Sequence, residues 1–331
     1  MIIFARILLG ITLSLLHAWA LAALWIDGPT NGKVALALLY AGVLIGSAVI
    51  TRRFRPAMAT SLVPFMVVLI WWSTLAPSND RDWIADVARP PRVEIEGDQL
   101  TVHNVRNFDY RSEEDYTERW ETRTYDLSKL RGVDMFISTW GSPYIAHTIA
   151  SWDFGEDNHL AISIETRKEK SETYSAILGF FRQFELYYVV ADERDVVRLR
   201  TNYRGETVRL YHLTPPVDVV RAILLDYLAE IDALADEPVW YNALTHNCTT
   251  TIRHHVQHVA RGDPFDWRIV VNGWLDELGY ERGNVDTSLP FEELRRVSLI
   301  GERARAADEA SDFSRRIREG LPGAHGLAQP Q

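Results

Sequence analysis

The chain has 331 residues, a formal net charge of −10 and a hydrophobic share of 47%. The length suggests about two domains, and the acidic balance argues against nucleic-acid binding, because phosphate contacts need a cationic surface. A single cysteine, Cys248, excludes a disulfide within the chain.

Residues 1–80 read as three membrane spans, from about Ile2 to Trp25, Val34 to Ile50 and Met58 to Leu75. Each approaches the ~20 apolar residues that a bilayer core requires. Arg6 lies near one end of the first span, where it can snorkel to the interface. His17, deep in that span, is expected to face another helix as a neutral ring. A cleaved signal peptide ending near Ala18-Trp19-Ala20 is the rival reading, disfavoured because the apolar run continues past that point. The basic loop Thr51-Arg52-Arg53-Phe54-Arg55 sets the orientation by the positive-inside rule. It places the N-terminus in the cytoplasm and everything after the third span outside. Trp71, Trp72 and Trp83 fit an interfacial belt at the exit.

The outer part begins after Asp80 and carries 30 basic and 43 acidic groups. Ala88-Arg89-Pro90-Pro91 is a stiff linker. Two alternating runs, residues 92–96 and 99–102, flank Gly97-Asp98 as a hairpin. Residues 120–125 read as another strand. Ser142-Pro143 is a helix-start signal, predicting a helix that carries His147 and ends before Gly155. A strand follows from His159 to Glu165. Residues 174–182 read as helical, and residues 184–190, 196–200 and 207–213 as three strands. An amphipathic helix runs from Thr214-Pro215-Pro216 to Leu234. Residues 264–280 look aromatic and irregular, residues 303–319 a charged helix, and the Gly/Pro-rich end frayed.

The chemistry points to Thr245-His246-Asn247-Cys248-Thr249-Thr250. Ile252, Val256 and Val259 recur at helical spacing behind it. Asn247 is a good N-cap, so Cys248 falls at the first helical position, where free N–H groups and the helix dipole favour a thiolate. A lone cysteine outside the cytoplasm is either an inert buried residue or a reactive thiol. The base expected from sequence is His159, at the head of its strand. Glu165 shares a strand face with His159, but six residues, about 20 Å, separate them. Glu185 or Tyr187 on a neighbouring strand is better placed to orient the ring. Asn247, Thr249 and His147 complete the supporting candidates. His254 and His258 share a helix face, yet without a third ligand or a Glu base they do not make a zinc site. No phosphate-cradling loop, nucleophile elbow or dinucleotide fingerprint occurs, so neither cofactor nor metal is expected.

Val102 to Ser112, the segment around His159 with Ser163-Ile164-Glu165-Thr166-Arg167, and Tyr241-Asn242 followed by Asn247-Cys248-Thr249-Thr250 resemble the Lnb N-terminal periplasmic domain family. The resemblance covers roughly residues 92–265. It implies a site histidine and an Asn-Cys-Thr motif, which map onto His159 and Asn247-Cys248-Thr249. The family takes its name from bacterial enzymes implicated in N-acylating lipoproteins. The order of histidine strand, then Asn-Cys at a helix start, is also similar to permuted papain-like folds of the NlpC and lecithin:retinol acyltransferase groups. By that similarity Cys248 carries acyl groups as a thioester.

The expected architecture is thus α+β: a three-helix anchor at 1–80, a periplasmic permuted papain-like Cys/His domain at 81–290, and a charged helix and tail at 291–331. The expected location is the bacterial inner membrane. Three functions compete. One is a thiol acyltransferase using membrane lipid as donor and a lipoprotein or other envelope amine as acceptor. The second is a hydrolase with the same residues, acting on an envelope peptide, amide or ester. The third is an anchored binding domain with Cys248 inert.

Overall fold

The computed structural model describes residues 2–51, 54–155, 157–260 and 264–323. Three apolar helices come first: α1 (Ile2–Ile26), α2 (Lys33–Thr51) and α3 (Phe54–Ser73). Ile3–Ile26 and Lys33–Ile50 are long and apolar enough to cross a membrane, whereas the apolar part of α3, Met58–Ser73, is shorter. The basic-loop residues Arg52 and Arg53 lie outside the described residues. His17 meets α2, with its Nδ1 2.6 Å from the Tyr40 hydroxyl. That is the interhelical contact expected of a ring inside a span.

The remainder is built on one sheet. Its strands are β1 (Arg92–Glu96), β2 (Gln99–Arg106), β5 (Trp120–Asp126), β6 (Gly132–Thr139), β7 (Ala146–Asp153), β8 (His159–Arg167), β9 (Glu185–Ala191) and β10 (Thr207–His212). The short strands β3 (Asp109–Tyr110) and β4 (Tyr116–Thr117) pair apart from it. The sheet order is β1-β2-β9-β8-β7-β6-β10, with β5 on β2. The β1–β2 hairpin turns at Gly97, whose φ of +62° suits a residue without a Cβ.

Both faces of the central strands are covered, so β7, β8 and β9 are buried almost end to end rather than alternating. One face packs against α5 (Val217–Asp236) and α6 (Cys248–Val259), through Trp152, Ile162, Tyr188, Leu224, Tyr227 and Ile231. Each such side chain contributes about 1.5–3 kcal/mol when fully buried. The other face is covered by α4 (Glu193–Arg198), the π-helical turn Leu199–Tyr203 that follows it, α9 (Gly301–Ala306) and α10 (Phe313–Ile317). Between them in sequence lie α7 (Leu275–Glu281) and α8 (Phe291–Val297).

Four elements differ from expectation. Residues 146–153 form a strand, not a helix. Ser142 accepts the Tyr144 N–H in a local turn, and its Pro143 leads into the run Ala-His-Thr-Ile-Ala-Ser-Trp, buried on both faces. Residues 174–182 hold only a short 3-10 turn, Leu178–Phe180. Residues 196–200 are helical because Asp192 caps α4, accepting the Arg194 N–H at 2.8 Å. The charged helix at 303–319 is broken into α9 and α10.

Candidate active site

Cys248 opens α6, as its sequence context predicts. The Asn247 side chain accepts the Thr249 and Thr250 N–H groups at 3.0 and 2.9 Å, and the Thr250 hydroxyl accepts the Asn247 N–H at 3.0 Å. That reciprocal capping box fixes the helix start. Asn247 Nδ2 also donates to the Ala243 carbonyl at 2.8 Å, tying the cap to the preceding loop. Cys248 is half-buried, and its sulfur lies 3.7 Å from the Thr249 hydroxyl.

The imidazole beside that sulfur belongs to His147, near the start of β7. Strand register explains why. Ile149 pairs with Ser163, so two residues on, His147 comes abreast of Glu165. His147 Nε2 lies 3.0 Å from Glu165 Oε1 and 2.6 Å from Ser163 Oγ. Glu165 is fixed in turn: Ser163 donates to it at 2.8 Å, and Arg200, from the turn after α4, donates at 3.0 Å. Arg200 also grips Glu206 at 3.0 Å.

These charges set the ionisation. Burial and Arg200 both pull His147 down, but the Glu165 carboxylate and the sulfur outweigh them and hold the imidazole up at about 9. Burial pushes the Cys248 thiol up, yet the hydrogen bond and charge of His147, with help from the Thr249 hydroxyl, bring it down to about 7. Burial also pushes Glu165 up, but His147, Arg200 and Ser163 keep its carboxyl well below the usual range. Between about pH 7 and 9 the arrangement is mainly a thiolate against an imidazolium that is steadied by a carboxylate.

Asn272 locks the two halves together. Its Oδ1 accepts the Ala146 N–H at 2.7 Å, and its Nδ2 donates to the Ala146 carbonyl at 2.7 Å and to Thr249 Oγ1 at 2.6 Å. One side chain thus clamps the first residue of β7 to the first turn of α6. The next residue must be glycine, since a Cβ on Gly273 would stand 1.9 Å from the Pro143 carbonyl oxygen. Burial raises the hydroxyls of Tyr174 and Tyr241, and the charge of the nearby sulfur raises them further.

His159 is not brought to Cys248. It lies at the opposite end of β8, abreast of Asp153, and His147 is about 20 Å from that end along β7. There His159 Nε2 is 3.7 Å from Asp153 Oδ1. It borders a polar cavity of about 180 Å³ with Arg123, Asp157, Asp192 and Arg194. Glu185 is also elsewhere: it accepts the Ser78 N–H at 3.1 Å and pairs with Arg81 at 2.9 Å. Tyr187 donates to the Arg89 carbonyl at 2.6 Å and packs in the other core. Of the supporting candidates, His147, Glu165, Asn247 and Thr249 meet at the thiol. His254 and His258 meet edge to face, and among the described residues no cluster of His, Cys, Asp and Glu has the geometry to hold a metal.

Ser163, Arg200 and Asn272 escaped sequence reasoning as site residues. Only Ser163 left a trace, as a polar residue on the Glu165 face of its strand. Nothing local marks Arg200 or Asn272, which reach the site from elements remote in sequence.

An α+β domain with a cysteine at a helix start and a His/Glu pair on adjacent strands is the class that fold and geometry define. Residues 116–273 match the sequence model of the Lnb N-terminal periplasmic domain, which supports that family for this part of the chain. The matched stretch contains every residue of the cluster, from His147 to Asn272. No curated protein and no solved structure matches the chain.

Proposed function

We propose that this protein is a membrane-anchored, periplasmic thiol acyltransferase with Cys248 as nucleophile, His147 as acid–base group and Glu165 as the residue orienting His147. The observation that carries the reading is the thiol–imidazole–carboxylate sequence at the start of α6. An inert buried cysteine needs no such partners. The Cys248 thiolate attacks the carbonyl carbon of a lipid ester. The oxyanion gathers charge beside the backbone N–H groups of the first α6 turn. The ester C–O bond breaks, and the His147 imidazolium protonates the departing alkoxide. An amine then attacks the thioester, gives its proton to His147 and leaves as an amide, restoring the thiolate. Lipoproteins are the acceptor class that the family's name points to. The apolar helices α1–α3 keep the site beside its donor, which raises its effective concentration.

A hydrolase uses the same residues with water as acceptor, and the products separate the two. The full-length protein in vesicles containing phospholipid with labelled acyl chains is given a lipopeptide bearing a free N-terminal amine. Labelled amide is the expected product. Labelled free fatty acid at the same rate with and without the amine would instead make the protein a hydrolase.

A further inference from the structure

We propose that the rim of the Cys248 site is itself a membrane-docking surface, dipping exposed apolar side chains into the acyl–headgroup boundary of the bilayer that holds α1–α3. The proposal rests on the membrane reading above and deepens it. Surface hydrophobics scattered singly mean little, but a contiguous set marks an interaction site. Among the described residues beyond 80, the exposed large apolar side chains are confined to four segments, apart from Ile95, Val217 and Leu299. These segments are 140–145, 174–180, 239–244 and 265–267, and all four surround the end of the sheet that carries His147. Tyr144, Ile145, Tyr174, Ile177, Phe180 and Leu244 are between 46% and 70% exposed.

The same end of the sheet is the one nearest the helices. Ser73 ends α3, and Ser78 is already bonded to Glu185, the first residue of β9. Five residues reach at most about 18 Å, while the polar layer of a bilayer is roughly 5–8 Å deep on each side. Trp240 Nε1 donates to the Leu75 carbonyl at 3.1 Å, and Asn79 holds both Arg167, at the end of β8, and the end of α5. The 174–182 segment makes the link closest. Phe181 is buried in one apolar cluster with Ala20, Ala23, Leu24, Phe65 and Val68 of the helices, which Trp19, Trp71 and Trp72 border. The Arg182 guanidinium lies 4.4 Å over Trp72, whose indole N–H donates to Asp27 at 2.7 Å. Tryptophan and arginine at such positions are interfacial anchors. Phe180 and Ile177, one and four residues before Phe181, therefore stand at bilayer level. Gly179 of the same segment abuts Tyr241, whose hydroxyl feels the Cys248 charge. One continuous apolar surface thus runs from the helix ends to the nucleophile. What covers it is the lipid surface, not a protein partner.

The test reads depth rather than activity, so it stands apart from the chemistry proposed for Cys248. In a Cys248→Ser background, which removes the only native thiol, single cysteines are placed by Ile177→Cys, Leu15→Cys and Asp98→Cys. Each is spin-labelled in vesicles of phosphatidylethanolamine and phosphatidylglycerol, and collision rates with oxygen and with a water-soluble nickel chelate are compared. Leu15 is an exposed mid-helix position of α1, and Asp98 sits at the far hairpin tip. The proposal expects the oxygen-to-chelate ratio at 177 to exceed that at 98 several-fold and to approach that at 15. A lipid-like ratio at 15 with a ratio at 177 equal to that at 98 overturns the docking surface alone. A water-like ratio at 15 overturns the membrane anchor with it. If Ile177→Cys does not fold, Phe180→Cys carries the same reading.

Discussion

Replacing His147 by Gln removes the charge that lowers the Cys248 thiol while leaving its burial in place. With the pair intact the thiol sits at about 7, so about half is thiolate at pH 7. Without His147, only the Thr249 and Thr148 hydroxyls still oppose burial, and the thiol moves back up toward its ordinary 9.0. The thiolate fraction at pH 7 then falls to about one part in a hundred, a loss of roughly 50-fold. Basicity returns part of this: a thiolate two pH units more basic is intrinsically about 6–10-fold more nucleophilic. The net expectation at pH 7 is a slowing of alkylation by roughly 5–8-fold. The ordering reverses in alkaline solution, where the variant's more basic thiolate overtakes the wild type. The assay is the second-order rate of iodoacetamide labelling of Cys248 from pH 5 to 10, read by intact mass. Rate–pH curves that cross near pH 8 support the ion pair. A midpoint near 7 in His147→Gln, unchanged from wild type, refutes it. His159→Gln is expected to follow the wild-type curve, because that ring lies at the other end of β8.

Further outcomes follow from the supporting residues. Glu165→Gln removes the carboxylate that holds His147 up, so burial and Arg200 draw the imidazole below about 9. The alkaline limb of acyl transfer should then move to lower pH while Cys248 alkylation persists. Asn272→Ala leaves the buried N–H and C=O of Ala146 without their partner, at about 1–3 kcal/mol for each. A fall in melting temperature of roughly 5–10 °C is expected for a chain of this size. Gly273→Ala forces a Cβ against the Pro143 carbonyl, and thermal melts should show it at least as damaging as Asn272→Ala. Asn247→Ala loses the cap of α6, about 1 kcal/mol of stability, and should slow alkylation at pH 7 as the helix start loosens.

How much of this was legible depended on range. The α6 start was readable because an N-cap acts within three residues, and Asn247 with Thr250 spells it locally. The apolar helices and the β1–β2 hairpin were readable for the same reason, since period and turn chemistry are local. The partner of Cys248 was not. Ser142-Pro143 carries a genuine helix-start signal, but tertiary burial on both faces turns the next segment into β7, and with that His147 becomes a strand residue aligned with Glu165. Glu165 is a candidate from sequence but ranks behind Glu185 and Tyr187, because it is too far along β8 from His159. Its true partner lies across the strand pair, and register is a pairing property that no single strand encodes. Arg200 and Asn272 reach the site through a π-helical turn and a 3-10 turn (Asn272–Trp274), which leave no periodic mark.

The most direct measurement is the mass of Cys248 after the full-length protein has been incubated in vesicles of phospholipid with labelled acyl chains and no amine acceptor. Wild type and His159→Gln should each gain one hydroxylamine-labile acyl group on Cys248, and His147→Gln should gain almost none. An unmodified wild-type cysteine, or an adduct that forms equally well without His147, would contradict the account.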